Sequence, residues 1–345
     1  GGKVHNGTLI LDNMFQGCSA LGQLTVGESS VLQGTAFNNS LANHGPTTNA
    51  TGGMWELSHV NGIATNKTSH GYAPWFGSTG SLAYRYPATG ASYADVLTYT
   101  WRNDLIGERF DSNPYAWWVF DKHNTLTFGI DTGADANDFC RLPGDTTSAA
   151  TYGLTVTEVQ DATTDLPWIS KEFDESDSTG TITNTYHPIA RTNVVNVATK
   201  GGIWVQNPAN WFMDYTELVD FDGGGMDIPN ATSIANFFKN DGKLQYFTTT
   251  TGGWTANNLT DMSYLLYGTA LRSLNVFFHG GVSGSDVSNI RNMSYAFANM
   301  KQLTDADGLE LWLPTSSVAD PLNLTGLFQG DTALEIVRGL KNWVI

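Results

Sequence analysis

Positive charge is scarce in this chain. Its 345 residues hold 17 Lys and Arg against 33 Asp and Glu, a net charge of −16. No Lys/Arg cluster occurs anywhere. Phosphate backbones and anionic headgroups repel such a chain, which argues against nucleic acid as a partner. Charged residues of both signs reach only 14%, well under the usual quarter or so. The surface is therefore left to Thr, Ser, Asn and Gly, a covering that suits an exposed extracellular protein better than a cytosolic enzyme.

Cysteine is nearly missing too. Cys18 and Cys140 stand alone, outside any CxxC, and two cysteines in a chain this long make no disulfide framework. One bridge and two separate small core residues are both compatible with the sequence. Unbridged is the expectation, because Cys18 falls in a repeat where a small apolar residue suffices. No apolar run approaches the ~18 residues of a membrane span, so no membrane insertion is expected in this segment. There is no signal peptide at Gly1, and an export signal or wall anchor is expected outside the segment.

Catalytic signatures are lacking as well. HExxH, GxSxG, GxxxxGK[ST] and GxGxxG do not occur. The seven histidines, His5, His44, His59, His70, His123, His187 and His279, are isolated and none has metal-ligand spacing. No catalytic residue is expected and the chain reads as a non-enzyme. No organic cofactor is implied. Calcium is the one candidate ion, because hard cations want several carboxylate and carbonyl oxygens on a Gly-bent loop. Two acidic groups offer this, Asp131, Asp135 and Asp138, and Asp220, Asp222 and Asp227. Neither has EF-hand spacing, and a solvated acidic turn is the plainer reading of each.

What the chain does have is repetition. PANWFMDYTEL (from Pro208), IANFFKNDGKL (Ile234), MSYLLYGTAL (Met262), MSYAFANMKQL (Met293), LTGLFQGDTAL (Leu324) and LDNMFQGCSAL (Leu11) share an anchor, an apolar residue four later and a closing Leu. The i, i+4 pairs Met293–Phe297, Leu324–Phe328 and Leu11–Phe15 predict one face of a short helix. A turn follows at Gly17, Gly268, Asn299 or Gly330. The Leu then opens a strand, with another apolar or small residue three later (Phe221, Phe247, Leu274, Ala306, Val337, Leu24). One such unit cannot bury its apolar face alone, whereas stacked neighbours can. The expectation is an α/β repeat fold, a leucine-rich-repeat-like solenoid of short helix-turn-strand units with β-rich capping regions.

The anchors at 208, 234, 262, 293 and 324 are 26, 28, 31 and 31 residues apart. The sixth repeat lies at the other end of the chain. With Ile345 followed by Gly1, Leu11 would fall 32 residues after Leu324, in phase with the rest. The segment thus reads as one period of a tandem array, or as two ends that merely carry related repeats.

These repeats resemble the BspA-like leucine-rich-repeat bacterial surface proteins, with the MFxGCxxL signature also seen in mycoplasma lipoproteins. Met14-Phe15-Gln16-Gly17-Cys18-Ser19-Ala20-Leu21 carries the resemblance. Asn292–Tyr295, Asp261–Tyr264 and Gly339–Trp343 support it. TGGMWE (Thr51–Glu56) and TYTWRND (Thr98–Asp104) resemble the aromatic β-rich tail of such a module. WWVFDKHNTLTFG (Trp117–Gly129), with LPW (Leu166–Trp168), resembles the entry segment of the next. Only one repeat keeps the Cys, and the stretch from Asp131 through Tyr186 has no match. The resemblance implies a cell-surface role in adhesion and no catalytic residue.

The chain then divides into residues 1–47, the end of one solenoid; 48–105, a β-rich cap; 106–205, a β-rich entry cap; and 206–345, a second solenoid. Side chains beside the buried ladder residues point outward from it. They make Gln245, Tyr246, Arg272, Asn275, Thr304, Asp305, Glu335 and Arg338 the candidate binding face. The exposed aromatics Trp75, Tyr84 and Tyr86 are a second candidate, for sugar stacking, or else the core of a small β cap. The functional expectation is a non-enzymatic extracellular adhesin or stalk segment at the cell surface. Its partners would be surface proteins or glycans of host or neighbouring cells, and copies of itself. A structural fibre subunit and a carbohydrate-binding or carbohydrate-active module are the alternatives.

Overall fold

A computed structural model of the chain describes residues 21–26, 54–60, 63–64, 74–76, 97–102, 104–113, 116–130, 153–170, 173–176, 182–186, 189–249, 254–256, 258–274, 286–309, 321–340 and 343. Asp131, Asp135, Asp138, Asn275, Tyr84, Tyr86, both cysteines and residues 11–20 of the Leu11 repeat lie outside the described residues. The chain forms two compact units: residues 1–108, 133–151 and 173–186, and residues 109–132, 152–172 and 187–345.

The first unit is antiparallel. Leu97–Arg102 pairs with Gln23–Val26 on one side and Met54–Val60 on the other. Met54–Val60 also pairs with Ile63–Ala64 and with Pro74–Phe76. The two aromatic motifs singled out in the sequence are thus strand partners, with Trp55 opposite Trp101 and Met54 opposite Arg102. Trp75 is also opposite Trp55. Phe173–Ser176 and Ile182–Tyr186 form a separate hairpin.

The second unit is chiefly parallel. Ala116–Asp121 and Thr125–Ile130 form a hairpin. Asn196–Lys200, Asp220–Gly223 and Tyr246–Thr249 then add in parallel to Thr125–Ile130. A second parallel sheet joins Thr155–Val156, Ile203–Val205 and Met226–Asp227. Gly129 is required where it stands, since a Cβ there would meet the Trp117 ring at 2.2 Å. The core between these strands and the first repeats is aromatic. Phe128, Trp168, Trp211, Phe212, Phe221, Phe237, Phe238, Phe247 and Trp254 are all buried and pack largely edge to face. The buried Trp168 indole N–H donates to the Tyr215 hydroxyl at 2.8 Å, which satisfies both groups away from water.

The helical units expected of the repeats are not there. Among the described residues, the helical elements are the four-residue Pro167–Ser170 and the 3-10 turns Arg191–Asn193 and Asp286–Asn289. The described residues are mostly sheet and turn. The reason lies in the backbone of each repeat. Two residues four apart hold left-handed φ: Asn210 and Asp214, Asn236 and Asn240, Tyr264 and Gly268, Tyr295 and Asn299, Gly326 and Gly330. A right-handed helix cannot pass through either position.

The hydrogen bonding follows this path. The N–H groups of Ile234, Asn236, Phe238 and Asn240 donate across to Asp261, Ser263, Leu265 and Tyr267 of the next repeat. Those of Phe237, Lys239 and Asp241 close turns three residues back within their own repeat. Every second amide thus bonds across, as in a parallel strand, and the alternate ones fold the chain into turns. The same alternation recurs from Met262 to Gly268 and from Met293 to Asn299. Each repeat is a coil of turns followed by a bridge or short strand. Successive coils are joined by parallel bridges at Ser233–Asp261, Asp261–Asn292 and Asn292–Asn323.

Candidate binding face

Each coil's closing Leu is buried in the inner repeats: Leu218, Leu244, Leu271 and Leu303 are at most 2% exposed. The residue three later is buried as well, at Phe221, Phe247, Leu274 and Ala306. The positions between and just after these turn outward. The chain bends there, because two consecutive N–H groups share one carbonyl of the preceding coil. Gln245 and Tyr246 both donate to Val219 O, and Glu335 and Ile336 both donate to Thr304 O. Thr304 itself donates to Arg272 O.

That ladder brings the candidate residues into register. Arg272, Thr304 and Glu335 occupy equivalent places on consecutive coils, with Gln245 at the same place two coils from Thr304, and all four are exposed. Adjacent rungs of such a ladder lie about 4.8 Å apart. Tyr246 is 60% exposed, the largest exposure among the large apolar side chains here. It stands one place further along, in the row that holds half-buried Asp305 and exposed Ile336. Arg338 is exposed on the last described coil. Among the described residues the face is a strip of mixed polar, aromatic and charged groups.

Asp220 and Asp222 lie on the same side of their strand, flanking buried Phe221. Burial raises the Asp220 carboxyl above its ordinary value, and the Asp222 charge adds to the shift. The carboxylates of Asp222 and Asp227 are engaged by the protein itself. Asp222 Oδ1 accepts from the Gly224 N–H and the Thr248 hydroxyl, and Asp227 Oδ1 accepts from the N–H groups of Ile228 and Thr255. Asp227 belongs to the other parallel sheet. Among the described residues no group of three His, Cys, Asp or Glu side chains is placed to hold a metal ion.

A second set of ladders runs along the turn edge, which the strand-centred reading of the sequence did not anticipate. Asn236 donates to Asn210 Oδ1 at 2.9 Å, Asn240 to Asp214 Oδ1 at 2.7 Å, and Lys243 to Glu217 at 2.6 Å. Further along, the rings of Tyr264 and Tyr295 stack at 4.9 Å, and Lys239 Nζ sits 4.5 Å above the Tyr264 ring. A signal was available: Asn, Asp or Gly stands six places after each of these anchors, and Asn or Gly two places after three of the five. Below the turns, Asp241 accepts the Tyr215 N–H and Asp331 the Met300 N–H, each capping the equivalent residue of the preceding coil. Burial pushes the Asp241 carboxyl well up, and pushes Asp331 up to about 7.

Comparison of the chain with protein-family models, curated proteins and solved structures finds no match in any of the three. Among the described residues, no helix is long and apolar enough to cross a membrane.

Proposed function

We propose that this chain is a non-enzymatic segment of an extracellular surface protein that attaches to proteins or glycans of host or neighbouring cells. The observation that carries the reading is the outward strip on the coils. Tyr246, Arg272, Thr304 and Glu335 stand on successive coils, beside a row that is buried in the inner repeats. A broad, shallow strip with an exposed Tyr and Arg suits a macromolecular contact, where such residues supply much of the binding energy. The low charge and the Thr-, Asn- and Gly-rich covering fit an extracellular setting. Stacked coils hold that strip rigid, which spares the partner much of the ordering cost of association.

The test is attachment of beads coated with the intact chain to cultured cells, matrix proteins and immobilised glycans. Replacing Tyr246, Arg272 and Glu335 together by Ala is expected to lower attachment at least about tenfold, the effect of losing ~1.4 kcal/mol. Replacing the exposed turn-edge pair Glu217 and Lys243 by Ala is expected to leave it unchanged. Full attachment by the strip variant would overturn the assignment of the face.

A further inference from the structure

The shorter parallel sheet turns a tryptophan outward. Val156, Ile203, Val205 and Met226 are at most 2% exposed and hold one side of its strands in the core. Trp204 points the other way and is 37% exposed. It lies in register with Thr155 on one neighbouring strand and with Asp227 on the other. Gln206, exposed and two places on, continues the same side. Its N–H donates to Val156 O, as that of Trp204 does to Leu154 O. Asp227 Oδ1 accepts from the N–H groups of Ile228 and Thr255, which fixes the carboxylate. Among the described residues the Trp204 indole N–H, the Thr155 hydroxyl, the Gln206 side-chain amide and Asp227 Oδ2 have no hydrogen-bond partner. Gly153 and Gly202 stand two residues before Thr155 and Trp204. Among the described residues a Cβ on either would meet nothing within 4 Å, which leaves the approach from that side clear.

We infer that Trp204 is the platform of a carbohydrate site that takes a neutral pyranose residue of a glycan. The C–H face of the sugar stacks on the indole, a large rigid ring that supplies contact area at little conformational cost. Thr155 and Asp227 flank the platform one strand away on either side. Their backbones lie about 10 Å apart, two strand spacings, which leaves room for one pyranose ring with its hydroxyls. A sugar hydroxyl both donates and accepts. The flanking groups answer both needs, because the Asp227 carboxylate accepts while the Thr155 hydroxyl and the Gln206 amide do either. A lone ammonium group would use the indole and the carboxylate and leave Thr155 and Gln206 idle. Charge narrows the ligand further, since Asp227 and the net charge of −16 repel sulfated, sialylated and uronic-acid glycans. The site takes from the proposed function only that glycans are among the partners. It shares no residue with the Tyr246 strip, so either can fail without the other.

The test is an NMR titration of the full chain carrying isotope-labelled tryptophan, with the Trp204 indole resonance identified by its loss in Trp204→Phe. The probes are the neutral sugars maltohexaose, cellohexaose, chitohexaose and galactotetraose, with hexalysine and a heparin hexasaccharide as charged counterparts. At least one neutral sugar is expected to shift the Trp204 resonance, and the charged probes to leave it in place. Calorimetric titration with that sugar then reads the variants. Trp204→Ala is expected to weaken binding at least about tenfold, the effect of losing ~1.4 kcal/mol. Asp227→Asn, which keeps the Oδ1 bonds, and Gln206→Ala are each expected to weaken it about threefold, in the range of one hydrogen bond. Tyr246→Ala is expected to bind as the unmodified chain does. The remaining indole resonances show that each variant is folded, and Asp227→Asn and Gln206→Ala carry the test should Trp204→Ala not fold. The inference is overturned if no neutral sugar moves the Trp204 resonance at about 10 mM, where even a Kd of about 1 mM approaches saturation. It is also overturned if hexalysine alone moves it, if the folded site variants bind undiminished, or if Tyr246→Ala abolishes binding.

Discussion

Tyr264 and Tyr295 occupy the same place on adjacent coils, stack ring on ring at 4.9 Å, and both hold φ of 55°. A bulky residue at left-handed φ costs roughly 1–2 kcal/mol, and the neighbouring coils hold Asn210, Asn236 and Gly326 there. The stack, with Lys239 over one of its faces, offsets that cost. A double-mutant cycle of Tyr264→Leu and Tyr295→Leu keeps the backbone cost in every variant. Urea unfolding is expected to give a coupling of about 0.5–1.5 kcal/mol. A coupling near zero would mean that the rings merely lie side by side.

The two capping aspartates make stability depend on pH. In the unfolded chain Asp241 and Asp331 ionise at ordinary carboxylate values. In the fold both are held higher, Asp331 at about 7. Their protonated forms are therefore favoured by folding, and the stability they contribute is complete below about pH 4 and is lost as pH rises toward 7 and beyond. Asn retains a carbonyl oxygen that can accept the same N–H. Asp241→Asn is expected to raise the melting temperature at pH 7 and to leave it nearly unchanged at pH 4, as scanning calorimetry would show. Equal shifts at both values would contradict the assigned protonation.

Gly129 lies against the Trp117 indole at a distance no side chain can share. Gly129→Ala is expected to destabilise the second unit by about 1–3 kcal/mol, the usual range for overpacking a filled core. Urea unfolding followed by tryptophan fluorescence measures the loss.

Much of the repeat was legible in the sequence, and the part that was misread has a definite cause. Ile234, Phe237, Phe238, Asp241 and Leu244 are all buried. The first four fall at i, i+3, i+4 and i+7, the spacing of an amphipathic helix. A coil of turns buries the same positions, because each turn closes on three residues and each coil presents one side to the core. Period alone cannot separate the two. Asn236, Asn240, Asn299, Gly326 and Gly330 separate them, since they mark places that need left-handed φ. Tyr264 and Tyr295 obscured that pattern by standing where Asn or Gly would be expected. The outward row survived the error. Gln245, Arg272, Thr304 and Glu335 were located by their offset from the closing Leu, and that offset depends on the ladder and not on what precedes it. The turn-edge ladders Asn210–Asn236 and Asp214–Asn240 were missed, because a helix would have pointed those side chains separately into solvent.

The coil path underlies the outward strip, and one comparison tests it directly. Asn240 holds φ of 70° with an exposed side chain, and both Asn240→Gly and Asn240→Ala remove its hydrogen bond to Asp214. In a left-handed position Gly is favoured over Ala by roughly 1 kcal/mol or more, whereas inside a helix Ala is favoured over Gly by about 1 kcal/mol. The two architectures therefore predict opposite signs. Urea unfolding of the two variants is expected to find Asn240→Gly the more stable by about 1 kcal/mol. Finding Asn240→Ala the more stable would contradict the stacked-coil account and restore a helix to each repeat.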